Sequence, residues 1–327
     1  MISKFLNIFK IADLRKKLLF TAGMVLIYRL GGIIPIPGTN PEVMGKYMET
    51  PEVSNSILGL YDMFAGGLFS QASIFALGIM PYISASIILQ LLGAVIPYFQ
   101  RLQKEGEAGR KKITQLTRYG TVVLASFQGF GVAVYLKSVD FVTIIQGKEI
   151  GIVDLDAGVI FYFVTILTLI TGTIFVMWLG EQITENGIGN GISLIIMMGI
   201  LARAPRVFLF EIDKIGQSSN LFNFLFLIIL MVLVTIVVVT VTTGVRKIPV
   251  QYAKRVVGRK VYGGQSTHIP LRILTAGVMP IIFAQAIMFL PGLSARFFDK
   301  EGATFKFLDS AFEPGAIVYS LVLRSEE

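Results

Sequence analysis

The sequence predicts an all-α, polytopic membrane protein whose helices surround a channel-like interior. The first observation is composition. Mean hydropathy is +0.72, 54% of the 327 residues are hydrophobic and 15% are charged, where a soluble domain carries about a quarter charged residues. The second is the recurrence of apolar runs long enough to cross a bilayer. The third is the stretch 57–98, apolar overall but interrupted in its first third by Gly66-Gly67 and by Ser70, Gln71 and Ser73. It reads as a short broken helix at 61–73 leading into a clean crossing helix from Phe75 to Tyr98, about 36 Å long against a hydrocarbon core of about 30 Å. A half-helix at membrane depth persists only where protein or a water-filled cavity encloses it. That points to a channel or transporter, not to a simple anchor.

The other elements follow in order. Residues 1–17 place five Lys and Arg among Phe, Leu and Ile, predicting an amphipathic basic helix on the membrane surface. Span one covers about 18–37 and ends at the breakers Pro35, Pro37 and Gly38. Its first apolar run is followed by GGIIPIPGT, not by a small-residue cleavage site, so the N-terminus does not read as a cleaved signal peptide. Arg29 lies inside this span, either as a functional charge or as an arginine paired or snorkelling near a helix end. Residues 38–56 read as a polar loop, and 99–118 as a charged one. Span three is placed at about 119–136, span four at 155–179, span five at 192–209, span six at 221–243 and span seven at 272–291. Between them lie the mixed loop 137–154, a tight Gly-rich turn GEQITENGIGNG at 180–191, and a long basic loop at 244–271. An eighth span opens at Pro314 and stops at Leu323 before RSEE. Ten residues cannot cross a membrane, so the sequence reads as the front part of a longer chain.

Charge gives the orientation. Alternate loops on one side carry five Lys and Arg in 1–17, six in 99–118 and seven in 244–272, whereas the loops of the other side carry nine in all. The positive-inside rule places the N-terminus and the two basic loops in the cytoplasm. The alternation closes only if the segment before Phe75 does not cross, which independently makes 61–73 re-entrant.

No catalytic set is visible. The chain has no cysteine, and its single histidine, His268, sits in a basic loop, so neither thiol chemistry nor a metal site is expected. Glu181 and Glu185 are four apart without a base or ligand beside them. GIGNG at 187–191 lacks the strand before it and the Lys after it that a phosphate loop needs, and reads as a helix-start turn. No cofactor is implied. One pattern stands out: isoleucines recur just inside polar-interrupted helices. Ile79 and Ile83 are four apart on one helical face, Ile192 and Ile196 repeat that spacing, and Ile282 lies two residues past Pro280.

Four blocks carry a resemblance: ASIFALGIMPYISASIILQLL (72–92), KEGEAGRKKITQLTRYGT (104–121), GEQITENGIGNGIS (180–193) and YAKRVVGRKVYGGQSTHIPLR (252–272). They are similar to the SecY family, the channel subunits of the Sec protein translocase, from about residue 5 to about 323. The resemblance implies an inverted-repeat, ten-helix channel with an hourglass pore, a plug and a lateral gate. The first half (18–209) would be complete and the second (210–327) partial. It implies a pore ring of Ile79, Ile83, Ile192, Ile196 and Ile282. A girdle of branched apolar side chains can seal around an extended polypeptide and hinder ions by dewetting. It implies a plug at 61–73 with Tyr61, Met63, Phe64, Gly66, Gly67 and Leu68, and a lateral gate with Ser86, Gln90, Gln128 and Thr275. Many family members carry Asn where this chain has Leu274, a departure in the polar gate cluster. Docking to the ribosome and to the SecA motor would fall to Arg246, Lys247, Arg255, Arg259 and Lys260, which also serve simply as a solvated topology signal. Implied partners are SecE, SecG, SecA, the ribosome, preprotein signal sequences and membrane lipid, in a bacterial cytoplasmic membrane.

Two other classes compete. A small-solute secondary transporter also uses broken helices and inverted repeats, but would normally place an ionisable residue at mid-membrane. Apart from Arg29 and terminal positions such as Glu181, the spans as read have none. A structural scaffold subunit would not need a re-entrant half-helix. Replacing Ile282 with a polar residue in the full-length channel is expected to raise ion leak or tolerance of defective signal sequences. Unchanged leak and stringency would remove Ile282 from the ring.

Overall fold

The computed structural model describes residues 11–272 except 55, 140, 146–147, 154–157, 206–207, 210–211, 213–220, 251–254, 258–259 and 263–266. Residues 1–10 of the predicted surface helix, span seven with Thr275 and Ile282 (all but Arg272), the eighth span and Arg259 lie outside the described residues. Contacts divide the chain into one unit of Met1–Pro205 with Ile281–Glu327, and a second of Arg206–Pro280.

In the first unit, α1 (Ala12–Gly31) already includes residues 12–17. The expected break between surface helix and span one at 17/18 is absent, because nothing between Leu14 and Leu18 opposes a helix. The helix ends at Gly31-Gly32, ahead of Pro35 and Pro37. The expected polar loop 38–56 instead holds α2 (Pro41–Met48) and α3 (Pro51–Ser54). Asn40 starts α2, its side chain accepting from the N–H groups of Glu42 and Val43, with proline in the first turn where its missing N–H costs nothing.

The half-helix is shorter and earlier than 61–73. It is α4 (Ile57–Phe64), capped by Ser56, and residues 65–79 form successive turns. Gly66 and Gly67 adopt φ of +76° and +82°, a left-handed conformation that ends the helix. The crossing helix likewise does not run from Phe75 to Tyr98. Helix α5 (Met80–Val95) starts with Pro81 in its first turn and stops before Pro97. Proline at 97 pushes Ile96 out of helical conformation, and α6 (Pro97–Lys104) leaves at 99° to Met80–Gly93. The 16 residues of α5 span about 24 Å.

Most of the predicted charged loop 99–118 is helical. It lies in α6 and in α7 (Glu107–Ser138, 32 residues), because Glu, Lys, Arg and Ala are good helix formers once outside hydrocarbon. The break between the two helices is Gly106, with φ +71°. The mixed loop 137–154 contains an antiparallel hairpin, β1 (Val142–Ile145) with β2 (Lys148–Gly151). Helix α8 (Val159–Asn186) runs past the predicted end at 179, so the Gly-rich turn shrinks to 187–190. Asn190 accepts from the N–H groups of Ile192 and Ser193 and starts α9 (Gly191–Leu201). With 11 residues, about 16 Å, α9 is much shorter than the expected span 192–209.

Helix α7 packs on α5 and α8, and α8 packs on α1 and α9, with α9 also against α4. Glycine permits the closest approaches, as small residues do between membrane helices. A Cβ at Gly191 would strike the Gly180 carbonyl, and one at Gly172 the Ile74 carbonyl.

In the second unit, α10 (Leu221–Thr243) coincides with predicted span six. Its exposed apolar residues, from Phe222 to Val241, lie on all sides, as suits surroundings of hydrocarbon. The basic loop is built of extended ladders: β3 (Val245–Val250) pairs antiparallel with β6 (Thr267–Arg272), and β4 (Arg255–Val257) with β5 (Lys260–Tyr262). Among the described residues, Glu107–Ser138, Val159–Asn186 and Phe224–Thr243 are the helices long and apolar enough to cross a membrane as single elements.

Gly191→Ala is expected to destabilise the protein by about 1–3 kcal/mol through overpacking, read as a lower melting temperature in detergent. An unchanged melting temperature would mean that the α8–α9 contact yields without cost.

Candidate functional site

The site grows from the turn segment 65–79. A segment without helix or sheet must find partners for its N–H groups one by one. Here Gly67 donates to the Asp62 carbonyl at 2.8 Å, Ala72 to Phe69 at 2.9 Å and Ser73 to Leu68 at 3.0 Å. The Ser73 hydroxyl accepts from the Phe75 N–H at 3.1 Å. Residues 34–36 lie alongside as a short edge. Ile74 donates to the Ile34 carbonyl and Ile36 to the Ala72 carbonyl, around a Pro35–Ser73 bridge. Aromatic rings fill the space around it. Tyr61 meets Phe69 edge-on at 5.8 Å, and Phe75 stacks between Tyr28 and Phe175. The Tyr61 hydroxyl donates to the Leu77 carbonyl at 3.0 Å. Among the plug residues named from the sequence, Tyr61 and Leu68 are buried and Met63 is exposed.

This segment rests on α9. Gly66 packs directly on the backbone of Gly199, where a Cβ would come within 2.6 Å of the Gly199 Cα. Beside it the Asp62 carboxylate pairs with Arg203 at 2.8 Å, while its other oxygen accepts from the Ser70 N–H at 2.9 Å. Asp62 is 2% exposed. It lies in the half-helix, outside the spans that the sequence reading searched for ionisable groups. Arg29 is a paired arginine. Its Nη2 donates to the Met198 carbonyl at 2.6 Å and the Gly199 carbonyl at 3.2 Å in the last turn of α9, and the Met198 carbonyl also accepts from the Ala202 N–H at 3.2 Å.

Four of the five isoleucines belong to this neighbourhood. Ile79 and Ile83 are buried, and Ile192 and Ile196 are partly buried against the same core. Ile79 stands just ahead of the first helical residue of α5, and its carbonyl accepts from the Ile83 N–H at 3.1 Å, so the one-turn spacing is kept. A Cβ at Gly180 would lie 3.2 Å from Ile192 Cγ1 and 3.5 Å from both Ile195 Cδ1 and Ile79 Cδ1. Gly180 is thus the floor on which side chains of α5 and α9 meet. A small cavity opens there, lined by Tyr28, Phe64, Ala65, Gly78, Ile79, Met80, Ile195 and Ile196. It joins the glycine-hinged segment to the isoleucines.

Of the gate residues named from the sequence, Ser86, Gln90 and Gln128 are among the described residues. The exposed Gln90 amide donates to the Ser86 hydroxyl of its own helix at 3.2 Å. Gln128 on α7 is 1% exposed, and its Oε1 lacks a hydrogen-bond partner among the described residues. Arg246 and Lys247 are exposed on β3 opposite Leu271 and Pro270. Arg255 and Lys260 begin β4 and β5. Glu181 receives a bidentate pair from Arg118, at 3.0 and 2.7 Å, tying α8 to α7.

Comparison with known proteins decides the family. The family model described as SecY matches residues 73–324. A protein translocase subunit SecY of Buchnera aphidicola is 46% identical over 319 residues, covering 96% of this chain and 86% of that relative. The chain belongs to the SecY family. A solved protein-conducting channel shares the fold of this SecY-family chain, with a TM-score of 0.58 at 20% identity over 88% of this chain and 62% of that one. A second, described as the SecY protein whose plug domain stabilises the closed state and maintains a membrane seal, gives 0.56 at 19% over 89% and 60%. The chain thus spans about three fifths of the solved channels it matches. These relatives are named for protein translocation and protein conduction, which supports the channel reading and not the solute transporter.

Sequence reasoning missed Asp62, Arg203 and Ile195. Ile195 was legible as the i+3 neighbour of Ile192 on one face. The Asp62–Arg203 pair is 141 positions apart, and no local pattern announces it. Gly66→Ala would force a left-handed alanine, costing about 1–2 kcal/mol, and push the segment off Gly199. The expected result is several-fold faster maleimide labelling of a cysteine placed at Phe64. Labelling at the original rate would show that this contact does not hold the segment.

Proposed function

We propose that this chain is the pore-forming subunit of a Sec translocon. It conducts unfolded preproteins across the membrane and releases apolar signal and transmembrane segments sideways into lipid. The observation that carries the reading is the non-helical segment 65–79. It is hinged on glycines, seated against α9, and shares a cavity with Ile79 and Ile196. A seal around a moving polypeptide needs branched apolar side chains without polar sticking points, and a stopper needs to leave without unfolding a helix. In this reading Tyr61–Ser73 is the plug and Ile79, Ile83, Ile192, Ile196 and Ile282 form the ring. Ser86, Gln90, Gln128 and Thr275 belong to the lateral gate. The chain catalyses no reaction of its own.

Residues 18–209 then form one half of the channel and 210–327 belong to the other. The basic ladders of 244–271 suit phosphate and acidic partners, so Arg246, Lys247, Arg255, Arg259 and Lys260 would dock the ribosome or the SecA motor. SecE and SecG would complete the assembly. Loop charges favour a cytoplasmic N-terminus in a bacterial cytoplasmic membrane.

In the full-length channel in membrane vesicles, cysteines at Phe64 and Ile196 are expected to form a disulfide at rest and to lose it when a preprotein is lodged in the pore. A pair that never crosslinks, with Ile83 tried as the alternative partner, would sink the plug assignment.

A further inference from the structure

We propose that Asp62 and Arg203 are positioning residues that latch the plug, an ion pair whose separation gates its departure. This rests on the plug reading above and adds what holds the plug down. Three observations meet at one place. First, Asp62 is a nearly fully buried carboxylate at the C-terminal end of α4, paired with Arg203 at 2.8 Å. Second, the same carboxylate folds the segment on itself by accepting from the Ser70 N–H. Third, the segment between is set for movement: Gly66, Gly67 and Gly78 have positive φ, and so does Ala72 at +45°, where a residue with a Cβ is strained. Such a conformation persists only while surrounding contacts impose it.

The anchor side of the latch is fixed. Arg203 lies two residues past the end of α9, its N–H bonded to the Ile200 carbonyl. Arg29 of α1 grips the Met198 and Gly199 carbonyls one turn earlier. Gly66 lies on Gly199, and Gly67 lies beside the Arg203 side chain, where a Cβ would come within 3.1 Å of Nε. Moving the plug therefore means drawing Asp62 out from under Arg203.

The pair distinguishes the two positions of the plug. In the seated position Asp62 has almost no water and depends on Arg203, since a buried charge that loses its partner is strongly penalised. Arg203 itself is 42% exposed, so the bond lies at a wet boundary and is open to competition from water and salt. Once the plug swings into water, both ions are hydrated and the penalty vanishes. The seated state thus depends on both partners being present, without the pair trapping the plug there.

The test uses the full-length channel with its partner subunits in vesicles, scoring resting ion leak and the rate of the disulfide between cysteines at Phe64 and Ile196. Asp62→Asn and Arg203→Gln are each expected to raise leak and slow the crosslink several-fold. The neutral double variant should be no worse than the more affected single variant, because both remove one interaction. Raising salt from about 0.05 to about 0.5 M shortens the screening length, and should slow the crosslink in the unaltered pair but not in the double variant. If Asp62→Asn does not accumulate, the half-exposed Arg203→Gln carries the test. Single variants that crosslink and leak like the unaltered channel would overturn the latch and leave the plug standing, as would effects that multiply in the double variant. Absence of the crosslink in the unaltered Asp62–Arg203 background would overturn the plug reading itself.

Discussion

Hydrogen-bond supply to residues 65–79 is the constraint on which the first unit depends. An unpaired backbone group in an apolar setting costs several kcal/mol, so a stretch that is neither helix nor sheet survives only if its surroundings provide partners. The chain provides them in three ways: short turns within the segment, the edge formed by residues 34–36, and side chains, namely the hydroxyls of Tyr61, Ser70 and Ser73 and the Asp62 carboxylate. This gives the prolines after α1 a purpose. They stop the helix, and the extended strand that results reaches Ser73 across the Pro35 bridge. The serines that interrupt the apolar run have a purpose too, since aliphatic residues there would leave the turns underbonded.

Glycine and charge then decide how the segment is seated. Gly66 on Gly199 brings two backbones together, and Asp62–Arg203 adds an interaction that depends on that closeness. The contrast with Arg118–Glu181 is instructive. That pair is bidentate and its arginine is about as exposed as Arg203, but its acid, Glu181, keeps 16% side-chain exposure against 3% for Asp62, and pairs at such surfaces contribute about 1 kcal/mol or less. It braces α7 against α8, whereas Asp62 sits where loss of its partner cannot be made good by water.

The isoleucines gain their meaning from the same geometry. Ile79 is the last residue of the turn segment and the cap of α5, so whatever moves the segment moves one wall of the cavity. Ile192 and Ile195 come from the first turns of α9 and meet Ile79 over Gly180. A side chain larger than hydrogen on α8 would fill the place where these helices converge. Membership of the SecY family is consistent with this economy: short elements converge on one small cavity.

The sequence by itself determined the membrane class, the helical architecture, the position of span six and the interruption at Gly66-Gly67. These rest on hydrophobic run length and on glycine, which act locally. It also carried the family, through long distinctive blocks around GIMPYIS and GNGIS. Element boundaries were decided by tertiary structure. The loop at 99–118 became helix because charge patterning does not separate a solvated helix from a solvated loop. Helix α9 stopped at 11 residues, just ahead of Arg203 and Pro205, where the expected span ran on through a stretch of only modest hydrophobicity. The crossing helix began at Met80, because packing around Phe75 and Leu77 favoured turns over a helix that composition alone would allow. The partnership of Asp62 with Arg203 lay wholly beyond sequence. An acid in the half-helix and an arginine after α9 read as unrelated charges until folding brings them to 2.8 Å. With that, the broken segment is specified as one seated by glycine contact and an ion pair, where the sequence had shown only that it was broken.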